Sequence, residues 1–158
     1  MVQEAKTNPA TATRKRVFHA AEEYTKRDKF RVVQMTGGEH PPVADRTPGA
    51  GMILGNWLVQ RPETATKHLI QLAEVGVGNR KYLHRHLNAE TVWFIIEGEG
   101  EFYGGPDEVY AVKAGDVCHS LPGEWHGMGN TGTVPLRYLS VEGPQPEAGA
   151  RSETEVME

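Results

Sequence analysis

The sequence has little of several features that mark other classes of protein. Its single cysteine, Cys118, cannot form an intramolecular disulfide, which is compatible with a reducing compartment. No apolar run approaches the roughly 20 residues that a membrane span needs. Residues 1–16 are polar throughout and lack the hydrophobic segment of a signal peptide. We therefore expect a cytoplasmic protein without a membrane partner.

An excess of charge of one sign is also absent. The 17 Lys and Arg and the 21 Asp and Glu give a net charge of −4, and the two signs are interspersed along the chain. Such a surface has no strong basic field to attract nucleic acid or an anionic membrane. The expected partner is a small molecule, and 158 residues favour one domain with its own hydrophobic core.

Turn-forming and polar residues divide the chain into three predicted parts. Residues 1–50 combine a polar tail, a short helix between about Arg16 and Phe30, and a linker rich in proline and glycine. Residues 51–142 form the body of the fold, and residues 143–158 form a polar, turn-prone tail. Both ends of the chain are predicted to be flexible.

The body of the chain consists of short runs of apolar, β-branched and aromatic residues between turn signals such as GGPDE and KAG. This pattern predicts many short strands, and no helical pattern of ten or more residues interrupts them as parallel βαβ units would require. An all-β fold is therefore favoured, with one antiparallel sandwich or barrel because no internal repeat indicates a second. The predicted strands are 52–60, 66–74, 82–86, 91–97, 99–103, 109–112, 116–120 and 134–142.

The sequence His84-Arg85-His86 lies in one of these strands. Side chains two residues apart in a strand point to the same face, roughly 6 to 7 Å apart, so two imidazoles can bind one divalent transition metal. Two ligands from one strand fill only one side of the ion, and Glu90 and His126 are the candidates for the other positions. The pattern alone leaves open a strand with two unconnected histidines.

The residues around this pattern resemble the first signature of the cupin superfamily. That signature is Gly, five residues, His-x-His, three or four residues, Glu, six residues, Gly. It is matched by Gly78, His84, His86, Glu90 and Gly98. Seven residues separate Glu90 from Gly98, so Thr91 stands where the glutamate falls when counted back from the glycine.

The second cupin signature is also present. It is Gly, five residues, Pro-x-Gly, two residues, His, three residues, Asn, and Leu121 stands here in the place of the proline. The matching residues are Gly115, Gly123, His126 and Asn130. The resemblance implies a single antiparallel jelly-roll β-barrel with a metal centre inside it.

The resemblance further implies that His84, His86 and His126 supply three nitrogen ligands and leave positions open for water, dioxygen or substrate. We expect Glu90 to be a fourth ligand, brought inward by a bulge. Adjacent residues of a regular strand face opposite sides, so Glu90 and Thr91 cannot both point inward. If the extra residue turns Glu90 away, the site has three histidines alone or with Thr91 nearby.

A finer resemblance concerns the reaction. HRH, FIIEGEG, a GD turn and WHGMGN are similar to the gentisate and salicylate ring-cleaving dioxygenases among the cupins, which use iron(II) on three histidines. This implies an iron(II) dioxygenase acting on a small oxygenated substrate, for example an aromatic one. Manganese, nickel or zinc are the alternative metals. A non-redox lyase, isomerase or cyclase, and a binding or regulatory cupin without catalysis, are the alternative functions.

Four aromatic residues near the predicted ligands are candidates for contact with substrate, although ordinary packing in the barrel is the alternative for each. They are Trp125, Trp93, Phe94 and Tyr103. Arg85 lies between two inward histidines and is expected to point away from the metal. An exposed sheet edge commonly pairs with a second copy, and together with the family resemblance this predicts a homodimer.

Overall fold

The computed structural model describes residues 17–35, 52–59, 68–80, 83–144 and 154–157. The predicted tail at 1–16 and the predicted linker after residue 35 lie outside the described residues. A helix, α1 (Ala20–Thr25), and a 3-10 turn (Arg27–Lys29) precede the strands. The strands are β1 (Arg31–Met35), β2 (Met52–Val59), β3 (Leu69–Val75), β4 (His84–His86), β5 (Glu90–Glu97), β6 (Glu99–Gly105), β7 (Glu108–Lys113), β8 (Val117–Ser120), β9 (Gly127–Gly129), β10 (Leu136–Gly143) and β11 (Thr154–Val156).

Within the described ranges the strands form three antiparallel sheets. The largest has the order β1-β2-β3-β10-β5-β8, the second has the order β7-β6-β9, and the third pairs β11 with β4. Strands distant in the sequence, such as β3 and β10, are direct neighbours, and this connectivity is typical of a jelly roll. The predicted all-β, antiparallel jelly-roll fold with a short N-terminal helix is therefore confirmed.

The interior lies on one face of the largest sheet. Along β5 burial alternates, with Thr91, Trp93 and Ile95 buried while Glu90, Val92 and Phe94 are exposed. The buried residues Trp93 and Ile95 pack in a core with side chains of β3, β6, β8 and β10. Burial of one large apolar side chain contributes about 1.5 to 3 kcal/mol, so this alternation fixes which face of each strand points inward.

The N-terminal segment covers the other face of the same sheet. Tyr24 and Phe30 form a second buried cluster with Leu54 and Leu72, and the Tyr24 hydroxyl donates a hydrogen bond of 2.9 Å to the carbonyl oxygen of Ala73. The predicted helix is therefore present, and its apolar side packs on the sheet. The segment covers only part of the outer face, where Val92 and Phe94 of β5 remain exposed.

A buried carboxylate also holds the N-terminal segment on the sheet. Glu74, on β3, accepts hydrogen bonds from Arg27 at 3.0 Å and from Arg137 at 2.8 Å. Charge-assisted contacts of this kind compensate for burying a carboxylate that would otherwise be costly to remove from water. The helical segment, β3 and β10 are thus linked by one polar cluster.

The glycines of the two cupin-like signatures have a common backbone role. Gly78, Gly98, Gly115 and Gly123 have φ values of 74°, 85°, 97° and 85°. Side chains other than hydrogen are strained in this left-handed region. The turns that return the chain toward the site therefore depend on these positions.

Asn130, the last residue of the second signature, has a structural role. Its side-chain nitrogen donates hydrogen bonds to the carbonyl oxygens of Val75 at 2.8 Å and Val134 at 2.9 Å, and its oxygen accepts one from Gly132. The side chain is 3% exposed. It joins the end of β3 to the segment before β10.

Three strands differ from the sequence-based expectation. Thr154–Val156, within the segment predicted to be a flexible tail, forms β11, which pairs with β4. Arg31–Met35 forms β1, which pairs with β2, so the sheet begins before the predicted boundary at residue 51. Gly127–Gly129 forms β9 against β6 although its composition disfavours a strand.

Cys118 packs in the core, as expected. Its burial, together with the nearby Asp116 carboxylate, raises the pKa of the thiol to about 11, so the reactive thiolate is scarce at neutral pH. Among the described residues no helix is long and apolar enough to cross a membrane.

Candidate metal centre

Three buried histidines converge at the rim of the inner face. His84 and His86 are 6% and 8% exposed and His126 is 1% exposed. Each offers a ligand nitrogen, and these nitrogens all lie within 4.8 Å of one another. Strand alternation places the two β4 imidazoles on one side, as predicted. Imidazole nitrogens in such a group are suitable ligands for a divalent transition metal.

The backbone brings His126 to β4. His84 and His126 form an antiparallel bridge, with hydrogen bonds of 3.0 Å from the His84 amide and 2.8 Å from the His126 amide. The amide of Gly123 also donates to the carbonyl oxygen of His86 at 2.8 Å. The turn before His126 is therefore held directly on the strand that provides the other two histidines.

Hydrogen bonds to the far nitrogens orient two of the rings. His126 Nδ1 lies 3.0 Å from the carbonyl oxygen of Glu124. A carbonyl oxygen only accepts, so Nδ1 bears the proton and Nε2 bears the lone pair that a metal requires. His86 Nδ1 lies 3.0 Å from the hydroxyl of Thr154 on β11. These contacts match the outer-shell partners that fix the rings of metal-binding histidines, and the residues therefore fit a metal.

Replacing Thr154 by valine is expected to weaken metal binding by about 10-fold. Valine keeps the shape of the side chain and removes the hydroxyl that holds His86 Nδ1. Serine, which restores the hydroxyl, should restore the affinity. Competition titration with a coloured Zn(II) chelator measures both variants, and a Thr154→Val protein with wild-type affinity would contradict the role given to this contact.

Glu90, the expected fourth ligand, is the one predicted ligand that the structure does not bring to this group. Its side chain is 49% exposed, and its carboxylate lies 3.1 Å from Nε2 of His119, on the outside of the sheet. No bulge rotates it inward, because β5 keeps a regular alternation from Glu90 to Ile95. The irregularity in its pairing with β10 lies at the other end of the strand, opposite Arg137 and Tyr138. The neighbouring Thr91 points inward instead and is 3% exposed.

A different carboxylate lies beside the histidines. Glu142 on β10 approaches Nε2 of His86 to 3.5 Å, and its side chain is 14% exposed. Glu142 is paired across the sheet with Thr91. The β10–β5 register thus brings this carboxylate to the inner face at the point where β5 has a threonine.

Further polar groups lie on the inner face next to these residues. Gln71, Ser140 and Trp93 form one row across β3, β10 and β5. The Gln71 side-chain nitrogen and the Thr91 hydroxyl are buried and have no hydrogen-bond partner among the described residues. Buried donors of this kind are uncommon in folded proteins and often indicate a functional site.

Of the four predicted substrate-contact residues, the structure places only Trp93 at the histidines, with its ring centroid 4.8 Å from that of His126. Phe94 is 45% exposed because it has the outward parity of β5. Tyr103 follows the inward-facing Phe102, and its hydroxyl donates instead to Glu101 at 2.8 Å. Burial and this hydrogen bond raise the pKa of Tyr103.

Trp125 also lies away from the histidines. The guanidinium carbon of Arg85 lies over the Trp125 ring, 4.6 Å from the ring centroid. Arg85 in turn forms an ion pair of 2.6 Å with Glu155 on β11. Arg85 thus points away from the predicted metal, as strand alternation requires. Trp125 packs against Arg85 and so lies on the same side.

Comparison with known proteins agrees with the jelly-roll fold. A family model described as a cupin domain matches residues 71–142. The chain belongs to the cupin superfamily. It is 31% identical over 108 residues to an uncharacterized protein of Methanocaldococcus jannaschii, covering 68% of this chain and 83% of that protein.

Two further relatives of this cupin have descriptive names. It is 39% identical over 64 residues to an oxalate-binding protein of Thermotoga maritima, covering 40% of this chain and 52% of the relative, so it spans about half that protein's length. A crystal structure of a predicted oxalate decarboxylase from Thermotoga maritima superposes with a TM-score of 0.56 at 29% identity, covering 60% of this chain and 83% of that one.

The sequence signatures of this cupin did not indicate Glu142, because it lies outside both of them. A signal was nevertheless present in β10. Leu136, Tyr138 and Glu142 share one parity of the strand, and the first two are buried core residues. An acidic residue on the apolar parity of a predicted strand is unusual and marks a candidate site residue.

Proposed function

We propose that this cupin is a metal-dependent enzyme that acts on a small oxygenated anion. The proposed reaction is an iron(II)-dependent dioxygenation. The observation that supports it most is the group of three buried histidines whose ligand nitrogens lie within 4.8 Å of one another. Three protein nitrogens leave part of a metal's coordination sphere to water or substrate, as catalytic sites require. In such a site the metal would polarise substrate oxygens and, as iron(II), react with dioxygen.

The inner face offers groups that suit an oxygenated substrate. The amide of Gln71 and the hydroxyl of Thr91 can donate hydrogen bonds to carboxylate or phenolate oxygens. An unsatisfied buried donor costs about 1 to 3 kcal/mol, so a bound acceptor would recover this energy. Trp93 provides an apolar wall beside His126. Together these groups favour a small, flat anion with at least two oxygen atoms.

The proposed dioxygenation needs no reductant other than the substrate. In a dioxygenase both atoms of dioxygen enter the organic product, and the substrate supplies the electrons. The buried histidines and Trp93 would exclude bulk water from the reacting atoms. The similarity of HRH, FIIEGEG and WHGMGN to the ring-cleaving cupins supports this reaction class.

Decarboxylation is the second candidate, and the oxalate-related names of two relatives favour it. In that reaction a carbon–carbon bond breaks, carbon dioxide leaves and a proton takes its place, with no net use of dioxygen. The same donors on the inner face would hold the carboxylates of the substrate. The two candidates differ in the gas that is consumed or released.

The test uses protein purified without a histidine tag, reconstituted with iron(II) or manganese(II) and offered aromatic diols, hydroxy acids and oxalate. We expect about one ion per chain and uptake of one dioxygen per substrate molecule consumed. His84→Ala should abolish both. Release of carbon dioxide from oxalate without uptake of oxygen would replace the dioxygenase with the decarboxylase. Metal binding without turnover of any substrate would favour a binding cupin.

A further inference from the structure

We propose that Glu142 on β10 supplies the carboxylate ligand of the metal centre, in place of the glutamate that the first signature provides on β5. This inference rests on the proposed function, because it assumes that the three histidines hold a metal. It keeps the predicted ligand set of three histidines and one carboxylate, but takes the carboxylate from Glu142 instead of Glu90. The carboxylate comes from the neighbouring strand of the sheet.

The register of the sheet places Glu142 opposite the position of the signature glutamate. Thr91 holds the inward position that the signature glutamate would occupy when counted back from Gly98. Its hydroxyl is too short to replace a carboxylate, and it has no hydrogen-bond partner among the described residues. The residue directly across from Thr91 is Glu142. Paired residues of an antiparallel ladder lie about 4.5 to 5.5 Å apart, so a side chain from either position can reach the same space.

The Glu142 carboxylate is close to the spacing expected of neighbouring metal ligands from His86. Two ligand atoms that are each about 2.1 Å from one ion, at right angles, lie about 3.0 Å apart. The Glu142 carboxylate oxygen is 3.5 Å from His86 Nε2, so a small side-chain adjustment gives the spacing of neighbouring ligands. No other carboxylate of the described residues forms an ion pair with any of the three histidines.

The alternative carboxylate has another partner. Glu90 is half exposed and pairs with His119 on the outside of the sheet. Reaching the histidines would require β5 to rotate by one residue, which would expose Trp93 and Ile95 from the core. The side chain of Glu142 is mostly removed from water, at 14% exposed, so an ion of charge 2+ beside it would stabilise its carboxylate.

The experiment compares Glu142→Gln with Glu90→Gln, using Co(II) as the probe. Glutamine keeps the size of the side chain and removes the charge in both variants. We expect Glu142→Gln to lower the Co(II) affinity by about 10- to 100-fold and to change the visible absorption spectrum, which reports the ligand set. Glu90→Gln should match the wild type in both. Circular dichroism of the metal-free proteins checks that both variants fold.

A cross-strand exchange, Thr91→Glu with Glu142→Thr, provides the rescue. If the carboxylate can be supplied from either strand, the exchanged protein should recover affinity and spectrum relative to Glu142→Gln. A Glu142→Gln protein with the wild-type affinity and spectrum would overturn the inference while leaving the three-histidine site intact. A wild-type protein that binds no Co(II) would instead overturn the metal-dependent function, and the role of Glu142 with it.

Discussion

Substitution of His126 by alanine is expected to lower the affinity for Zn(II) or Co(II) by more than about 100-fold. Loss of a residue that only orients a ligand costs about 10- to 100-fold, and loss of the ligand itself should cost more. His84 and His86 both come from β4, so together they can bind only one side of an ion. His126 approaches from the turn that pairs with this strand and closes the group. Competition titration against a chelator of known affinity measures the loss.

The matched control for this variant is His119→Ala. His119 is close to His126 in the sequence but lies on the outside of the sheet, 47% exposed and paired with Glu90. Its removal should leave metal affinity unchanged. Equal affinity in the wild-type and His126→Ala proteins would contradict the site, and His126→Asn provides a second test if the alanine variant does not fold.

The same site predicts how metal affects stability. A ligand present at 100 times its dissociation constant stabilises the folded state by about 2.7 kcal/mol, which for a chain of this size corresponds to roughly 5 to 10 °C in Tm. A chelator should therefore lower the Tm of the wild type and of His119→Ala by this amount. It should leave that of His126→Ala unchanged.

Gly100→Ala is expected to destabilise the fold by about 3 kcal/mol or more, because overpacking against backbone has no easy relief. A Cβ atom at this position of β6 would overlap the carbonyl oxygen of Gly129 and lie 2.9 Å from Cδ2 of Leu136. The carbonyl belongs to β9, whose pairing with β6 includes Glu101 and Gly129. To accommodate the methyl group, β9 must move away from β6.

Gly105→Ala is the control within the same strand. A Cβ atom there would meet nothing within 4 Å, and a change within about 1 kcal/mol is expected. Urea unfolding of both variants, monitored by tryptophan fluorescence, measures the difference. Because β9 begins directly after His126, Gly100→Ala should also weaken metal binding. Matching unfolding midpoints for the two variants would show that β9 can shift without loss.

Much of the fold was predictable because periodicity and turn residues specify it locally. The eight predicted strands correspond to β2 to β8 and β10. Of the three strands that were missed, β9 and β11 depend on partners distant in the sequence. The residues of β9 are two glycines and a methionine, which have no strand pattern of their own and form a strand only by pairing with β6. β11 is a short exposed segment that pairs with β4.

In the candidate site too, local patterns predicted some residues, while the positions of others depend on strand pairing. Alternation within β4 placed His84 and His86 on one face and Arg85 on the other. The spacing of the second signature indicated His126. The positions of Glu90 and Glu142 depend instead on the phase of β5 and on its register with β10, which includes a shift between Arg137 and Tyr138. A local pattern does not specify such a register, so the positions of the two carboxylates relative to the histidines were seen only in the structure.

The contact between Thr154 and His86 joins residues 68 positions apart in the chain, and it makes two equilibria interdependent. Any factor by which the docking of β11 tightens metal binding is, by thermodynamic reciprocity, the factor by which bound metal tightens the docking of β11. Metal held by the three histidines would therefore also hold β11 in place on β4. We expect β11 to resist proteolysis better in the metal-loaded protein than in the metal-free protein.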